Sequence, residues 1–355
     1  MNFLVTGATG FVGKAFTQAT CQQGHDVSAL VRMHSRLLPA EVKQIEVGDF
    51  LLLAEAFQTR LGSSVISSEV EKSRYSSTAV GITAEFDFEQ LISVMKGVDV
   101  VIHTAARAHV MKEDHADPAA IYHLMNVTLT EQLVQAAAEA GVKRFVFISS
   151  IKVNGEATYE KPFTESDTPA PMDDYGRSKW AAEQALTEIG IQTGMEIIIL
   201  RPPLVYGPGV KGNFASLIKL VKKGVPLPFG AVNNRRSLIA LDKLVSAILT
   251  AATHPAAANQ TYLVADDEAI STTRLIRLIA EAQGKKVWLI PVPVSWMKFA
   301  AGLLAKKAMA DRLFGSLEVD ASKIQHQLCW QPAVTMMQQL GNDDSSLDGF
   351  PPPRV

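Results

Sequence analysis

Three features of this 355-residue chain could do chemistry together: a glycine-rich turn near residue 7, a tyrosine four residues before a lysine, and a serine closing an apolar run. The turn is Gly7-Ala8-Thr9-Gly10-Phe11-Val12-Gly13, directly after the strand-like Asn2-Phe3-Leu4-Val5. Where strand becomes helix, a GxxGxxG permits a tight turn at Gly7, close approach of backbone to a pyrophosphate at Gly10, and close helix–strand packing at Gly13. The helix N-terminus adds N–H groups that favour anionic oxygens. The motif in this context predicts a dinucleotide site whose contacts run through Gly7, Thr9, Gly10, Phe11, Val12 and Gly13.

Tyr175-Gly176-Arg177-Ser178-Lys179 heads a helical run, and a step of four residues places Tyr175 and Lys179 on one face. A phenol with an ordinary pKa near 10 is a poor base at neutral pH, but a neighbouring ammonium and an oxidised nicotinamide both favour phenolate. Tyr175 can then exchange a proton with a substrate hydroxyl while hydride moves to or from the adjoining carbon. Upstream, Phe145-Val146-Phe147-Ile148 ends in Ser149-Ser150. Parallel sheets present ligands at the carboxyl ends of strands, so Ser150 is expected to steady the reacting oxygen. The second strand ends Ala29-Leu30-Val31-Arg32, where an acidic residue would ordinarily hold the adenine ribose. A guanidinium there can pair with a 2′-phosphate, which favours NADPH over NADH, unless Arg32 is simply a solvated strand end.

The elements that must position these groups are read from periodicity. Phe3 to Thr6, Val27 to Val31, Val98 to His103, Arg144 to Ser149 and Ile197 to Leu200 are strand-like and alternate with helical stretches such as Asn126 to Ala140, stopped by Gly141. That alternation predicts an α/β fold, a Rossmann-type doubly wound parallel sheet with a smaller C-terminal substrate-binding lobe. The expected division is a dinucleotide-binding domain over 1–206, an interleaved lobe over 207–340 and a disordered tail over 341–355. Residues 63–77 hold seven serines, so 62–83 is read as a surface insertion.

Composition narrows the class. With 34 basic and 36 acidic residues the net charge is −2, and no basic run draws the chain to nucleic acid. Cys21 and Cys329 are the only cysteines, without a Cys/His cluster, so neither a disulfide framework nor a metal site is expected. No secretory signal is evident, and a cytoplasmic location fits. Val287 to Ala305 is apolar but interrupted by Pro291, Pro293 and Lys298, and is read as a buried or groove-lining segment, with membrane association the lesser alternative and no membrane span expected.

Taken together the motifs resemble the extended short-chain dehydrogenase/reductase family, which holds nucleotide-sugar epimerases, dehydratases and ketoreductases. The resemblance rests on the glycine turn, Gly48-Asp49, His103-Thr104-Ala105-Ala106, Asn126-Val127, Ser150, Tyr175, Lys179 and Arg201 to Gly209. It implies an adenine contact at Asp49, cofactor contacts at Ala105 and Ala106, and substrate contacts at Asn213, Phe229, Arg236 and Arg312. It also implies a homodimer. Ile151-Lys152 stands where 4,6-dehydratases carry an Asp-Glu pair, which argues against dehydration. The resulting expectation is an NAD(P)-dependent enzyme acting at carbon 4 of a nucleotide-activated hexose, foremost a UDP-sugar 4-ketoreductase of surface-polysaccharide biosynthesis. The alternatives are a UDP-hexose 4-epimerase and, from another class, a dinucleotide-binding sensor without catalysis.

Overall fold

The computed structural model describes residues 1–60, 86–108, 117–303, 307–331 and 334–341. The serine-rich stretch 62–83 and the tail from 342 onward lie outside the described residues. The first part of the chain runs β1 (Asn2–Thr6), α1 (Phe11–Gln22), β2 (Asp26–Val31), β3 (Lys43–Glu46), α2 (Phe50–Arg60), α3 (Phe88–Met95), β4 (Val100–His103), α4 (Pro118–His123), α5 (Leu129–Glu139), β5 (Arg144–Ile148), α6 (Asp174–Thr193) and β6 (Glu196–Arg201). It continues through β7 (Leu204–Tyr206), α7 (Gly212–Lys222), β8 (Leu238–Ala240), α8 (Leu241–Thr253), β9 (Thr261–Leu263), α9 (Thr272–Ala282), α10 (Val294–Leu303), α11 (Lys307–Phe314), α12 (Ser322–Gln327) and α13 (Met336–Gly341).

Seven strands form a parallel sheet in the order β3-β2-β1-β4-β5-β6-β9, flanked by helices, which is the Rossmann-like arrangement expected. β4 and β5 are buried along their whole length, as central strands covered on both faces must be. The chain winds outward from β1 through β2 to β3, then returns to the other side of β1 to lay down β4. The reversal therefore lies between β1 and β4, the position where such sheets open a crevice at their carboxyl ends. The glycine turn follows one of these two strands and Thr104-Ala105-Ala106 follows the other.

Two compact units divide the chain: Met1–Ile148 with Asp173–Ile199, and Ser149–Met172 with Leu200–Val355. The core of the first gathers Leu4, Leu30, Val101, Leu133, Phe145, Phe147, Leu186 and Ile199. In the second, Tyr206, Phe214, Leu227, Leu238, Ile276 and Ile279 pack together, and β7 pairs in parallel with β8.

Local signals set the element ends. Asp173 caps α6 by accepting from Gly176 N at 2.8 Å, and Gly194, at φ +76°, stops it in a left-handed turn. The helix read from Asn126 begins as a π-turn, Leu124–Thr128, before α5 proper, and ends ahead of Gly141 at φ +80°. β3 escaped the periodicity because Lys-Gln-Ile-Glu carries a single apolar residue, and its place is fixed by pairing with β2. One expectation is corrected. Over its described residues 287–303 the segment Val287 to Ala305 is only partly covered: Val287 and Leu289 pack against the core of the second unit, but α10 has no buried residue, and Trp288 and Trp296 are each 72% exposed. Pro291 and Pro293 delay the helix, and its half-buried side is the narrow row Val294, Met297 and Ala301, which leaves the larger side chains outside.

The tightest constraint in the first unit is between the loops after β1 and β4. A Cβ on Gly7 would lie 2.6 Å from Ala105 N, and one on Gly13 would lie 2.6 Å from Thr104 Oγ1 and run into the Gly7 carbonyl. Gly13→Ala is expected to cost about 1–3 kcal/mol of stability, read from urea unfolding followed by circular dichroism, because backbone rather than a movable side chain must give way.

Candidate active site

The turn after β1 is closed by Gly10 N donating to Gly7 O at 2.8 Å, with Gly7 at φ +71°. Gly10 caps α1 without any side-chain hydrogen bond, and no acidic residue occupies the first turn. The leading N–H groups of Phe11, Val12 and Gly13 are those a helix leaves without an intrahelical acceptor. Thr9 and Gly10 are exposed beside them. A bare helix end, a turn admitting no side chain at Gly7 or Gly13 and no local negative charge together fit the diphosphate of a dinucleotide.

Arg32 and Asp49 meet. The guanidinium Nη2 lies 3.3 Å from Asp49 Oδ2, and Asp49 Oδ1 also accepts from Leu51 N at 2.8 Å at the start of α2. Gly48, at φ +73°, turns the chain into that position. The cation read from sequence as a phosphate partner therefore already has a carboxylate beside it, although both side chains are partly solvated and the pair adds little stability.

On α6, Lys179 is 1% exposed. Its Nζ donates to Ile148 O at 2.8 Å, at the carboxyl end of β5, and sits 4.3 Å from the centre of the Phe147 ring. Burial pushes its pKa down to about 7, partly offset by the Glu183 carboxylate one turn along the helix. Tyr175, one turn earlier, meets the Tyr122 ring edge to face, with centroids 6.3 Å apart at 62°. Arg107 lies over the opposite partner in this row, its guanidinium carbon 5.8 Å from the Tyr122 ring centre.

Asn126 ties the loop after β4 to α6. Its Oδ1 accepts from Arg107 N at 2.8 Å, while Nδ2 donates to Arg107 O at 3.0 Å and to Ser178 Oγ at 2.9 Å. Ser178 Oγ in turn donates to Tyr175 O at 2.9 Å. The backbone beside Ala105 and Ala106 and the backbone of Tyr175 are thus joined through two side chains. His103, given no chemical role from sequence, lies fully inside. Its Nδ1 faces Thr6 Oγ1 at 2.6 Å and its Nε2 faces Thr130 Oγ1 at 3.0 Å. Thr130 donates its own proton to Asn126 O, so the imidazole carries its proton on Nε2 and accepts at Nδ1. Burial first, and Lys179 second, hold its pKa down to about 3. It is a neutral strut.

Ser150 belongs to the second unit, where it caps the 3-10 turn Ile151–Val153 and its Oγ accepts from Lys152 N at 3.3 Å. In that unit three of the four expected substrate residues come together. Arg236 Nη1 donates to Arg312 O at 2.7 Å and to Gly315 O at 3.2 Å, and Phe229 meets the Phe314 ring at 6.3 Å. Arg312 reaches Glu156 at 3.3 Å, and Glu156 also pairs with Lys152 at 3.2 Å. Asn213 stands in the first turn of α7, exposed and outside this set of contacts. Asn154 is a buried tie, accepting from Arg201 Nη1 at 2.9 Å and donating to Thr164 O at 2.9 Å.

Sequence reasoning missed Tyr122 and the roles of Asn126 and Glu156. Asn126 lies within the Asn126-Val127 motif, yet nothing in its spacing reveals three partners. Tyr122 is a single aromatic in a short helix and gave no signal. Among the described residues no group of acidic, histidine and cysteine side chains is arranged to hold a metal. Nor is any helix long and apolar enough to cross a membrane.

Residues 3–265 match the model of the NAD dependent epimerase/dehydratase family. A UDP-glucose 4-epimerase of Vibrio cholerae is 41% identical over 340 residues, spanning 95% of this chain and 92% of that protein. Among solved structures, the UDP-glucose 4-epimerase of Thermotoga maritima with UDP-glucose matches 96% of each chain at 21% identity and a TM-score of 0.69. The UDP-glucuronic acid 4-epimerase from Bacillus cereus in complex with NAD matches 97% of this chain and 98% of its own at 20% identity and the same TM-score. At such identities the solved structures speak to the fold.

Lys179 carries a pH dependence of stability whose sign follows from its burial. With a folded pKa of about 7 against an ordinary 10.5, the unfolded chain binds the extra proton between those values. The contribution is fully present above the ordinary pKa and is lost as pH falls through 7. Urea titrations of the cofactor-free protein across this range are expected to show stability rising by up to about 1.4 kcal/mol per pH unit, a slope that Lys179→Met removes.

Proposed function

The chain belongs to the NAD-dependent epimerase/dehydratase family, and from that membership we propose that it is a UDP-hexose 4-epimerase. It is an enzyme acting on nucleotide sugars. The observation that carries the finer reading is the 41% identity to the Vibrio cholerae UDP-glucose 4-epimerase over nearly the full length of both chains. The 4-ketoreductase favoured on sequence rests mainly on Arg32. That guanidinium already faces the Asp49 carboxylate at 3.3 Å, which supports NAD over NADP, since a 2′-phosphate would have to share the position with a negative charge.

A bound nicotinamide ring supplies reversible hydride acceptance at the sugar carbon. The chain's own residues do the rest. Tyr175 takes the proton of the 4-hydroxyl and returns it when the carbon is reduced from the opposite face. Lys179 favours the phenolate while protonated, and its Nζ is fixed by Ile148 O, so its position costs no reorganisation during turnover. The Asn126–Ser178 link keeps the backbone of Tyr175 in register with the loop after β4. Ser150 is assigned to the reacting oxygen from its place after β5. Arg236, whose burial lowers its pKa without discharging it, is assigned with Arg312 and Phe229 to the nucleoside diphosphate. A reaction that ends where its redox state began needs no second substrate, which suits an enzyme that keeps its NAD.

Incubating the purified protein with UDP-glucose is expected to give UDP-galactose, resolved by chromatography, without net change in absorbance from reduced nicotinamide. Stoichiometric NADPH consumption on a UDP-4-keto-hexose, with no interconversion, would replace this reading by the ketoreductase. Tyr175→Phe should lower turnover by about 10²–10⁴-fold while dinucleotide binding, measured by calorimetry, is retained. Asp49→Asn should improve NADP binding relative to NAD by about fivefold, the amount a partly exposed charge contact can contribute.

A further inference from the structure

The face carrying α10 has a composition unlike the rest of the molecule. Residues 197–241 and 282–310 contain no aspartate or glutamate, in a chain with 36 acidic residues. The second unit zips these two stretches together. Leu227 N donates to Trp288 O and Ile290 N to Leu227 O, both at 2.8 Å, Gly230 N donates to Ile290 O at 2.9 Å, and Lys285 Nζ donates to Lys222 O at 3.0 Å. Along this ladder Val287 and Leu289 turn inward to the core of the unit, and Trp288 and Ile290 turn outward.

α10 has an outward side of its own. Trp296, Phe299 and Leu303, three and seven residues apart, share one face and are 72%, 71% and 74% exposed. Lys219, Lys222 and Lys223 at the end of α7, with Lys285 and Lys286, are exposed at the border of the ladder. On α10 itself Lys298 is paired with Asp311 at 2.9 Å. The helix has ten residues, about 15 Å, far too short to cross a bilayer.

Soluble surfaces seldom leave two tryptophans, a phenylalanine and a leucine uncovered together, and such a patch marks an interaction site. Indole and phenyl side chains on a short helix, bordered by lysines and with Asp311 already paired to Lys298, match the boundary between lipid headgroups and acyl chains: rings settle at headgroup depth and ammonium groups meet phosphates. We propose that α10 and the Trp288–Ile290 ladder dock the enzyme on an anionic phospholipid surface, lying in its plane. The excess of lysine selects lipid over a second copy of this chain, because two copies facing each other would set lysines against lysines. Docking by this face would hold Phe229-Gly230, hydrogen-bonded to the ladder, close to the membrane surface.

Sedimentation of the full chain with vesicles tests the proposal. Partition onto mixed phosphatidylglycerol and phosphatidylcholine is expected to exceed that onto phosphatidylcholine alone by about tenfold or more and to fall with added salt. The double variant Trp296→Ser/Phe299→Ser should lose about tenfold in partition onto the anionic vesicles, with unchanged thermal unfolding and unchanged sugar-nucleotide turnover in solution. Lys223→Glu/Lys286→Glu should lose the preference for anionic lipid while keeping its fold. Equal partition onto both vesicle types, or a double variant that binds like the parent, would overturn the proposal. So would a dimer in sedimentation equilibrium that Trp296→Ser dissociates, since a second copy would then cover the face.

Discussion

A primary amine with 1% of its surface exposed is a costly group to bury, and the architecture around it is what makes it tolerable. Lys179 has been taken from water, where an ammonium is strongly hydrated, and given a backbone carbonyl at the end of β5 and the face of Phe147. That contact requires α6 to lie over the carboxyl end of the sheet, in register with Ile148. It also requires β5 to be a fully covered central strand, since only then does its last carbonyl lie in a dry place. His103 is held neutral beside it. A second cation in that layer would add repulsion to desolvation, and the threonine pair at Thr6 and Thr130 satisfies the imidazole without charge.

The glycine turn, the tyrosine–lysine step and the alternation of strands and helices were all legible in the sequence, each for a physical reason that acts over a few residues. Gly7 and Gly13 mark close approach because no other residue fits, and the structure shows the atoms they avoid. Tyr175 and Lys179 share a face because four residues nearly complete a helical turn. What was illegible depended on distant partners. Arg32 looked like an open cation because Asp49 is seventeen residues away in sequence and reaches it only after β3, itself invisible to periodicity, has paired with β2. Glu156 was unremarkable until Lys152 and Arg312 converged on it.

The misreading of Val287 to Ala305 has a different origin. Apolar content suggests burial, but a sequence window carries no information on whether a covering element exists. Prolines at 291 and 293 keep the helix short, and its half-buried row is made of Val294, Met297 and Ala301, all smaller than the aromatics outside. Net charge misled in the same way. A total of −2 conceals two acid-free stretches that become one surface only through the hydrogen bonds between residues 227–230 and 288–290.

The division of the chain also bears on how the protein is made. The polypeptide passes between its two compact units after Ile148, after Met172 and after Ile199, so neither unit is a contiguous stretch. β1 cannot complete its pairing until β4 arrives nearly a hundred residues later, and the first unit lacks α6 until residue 193 has been synthesised. During translation the early strands therefore wait with apolar faces uncovered, a topology dominated by distant contacts that folds slowly and invites chaperone capture. By the same logic the first unit cannot be isolated by cutting the gene at any single point, and a fragment ending near the last residue of β5 would leave the carbonyl of Ile148 without the lysine that completes it.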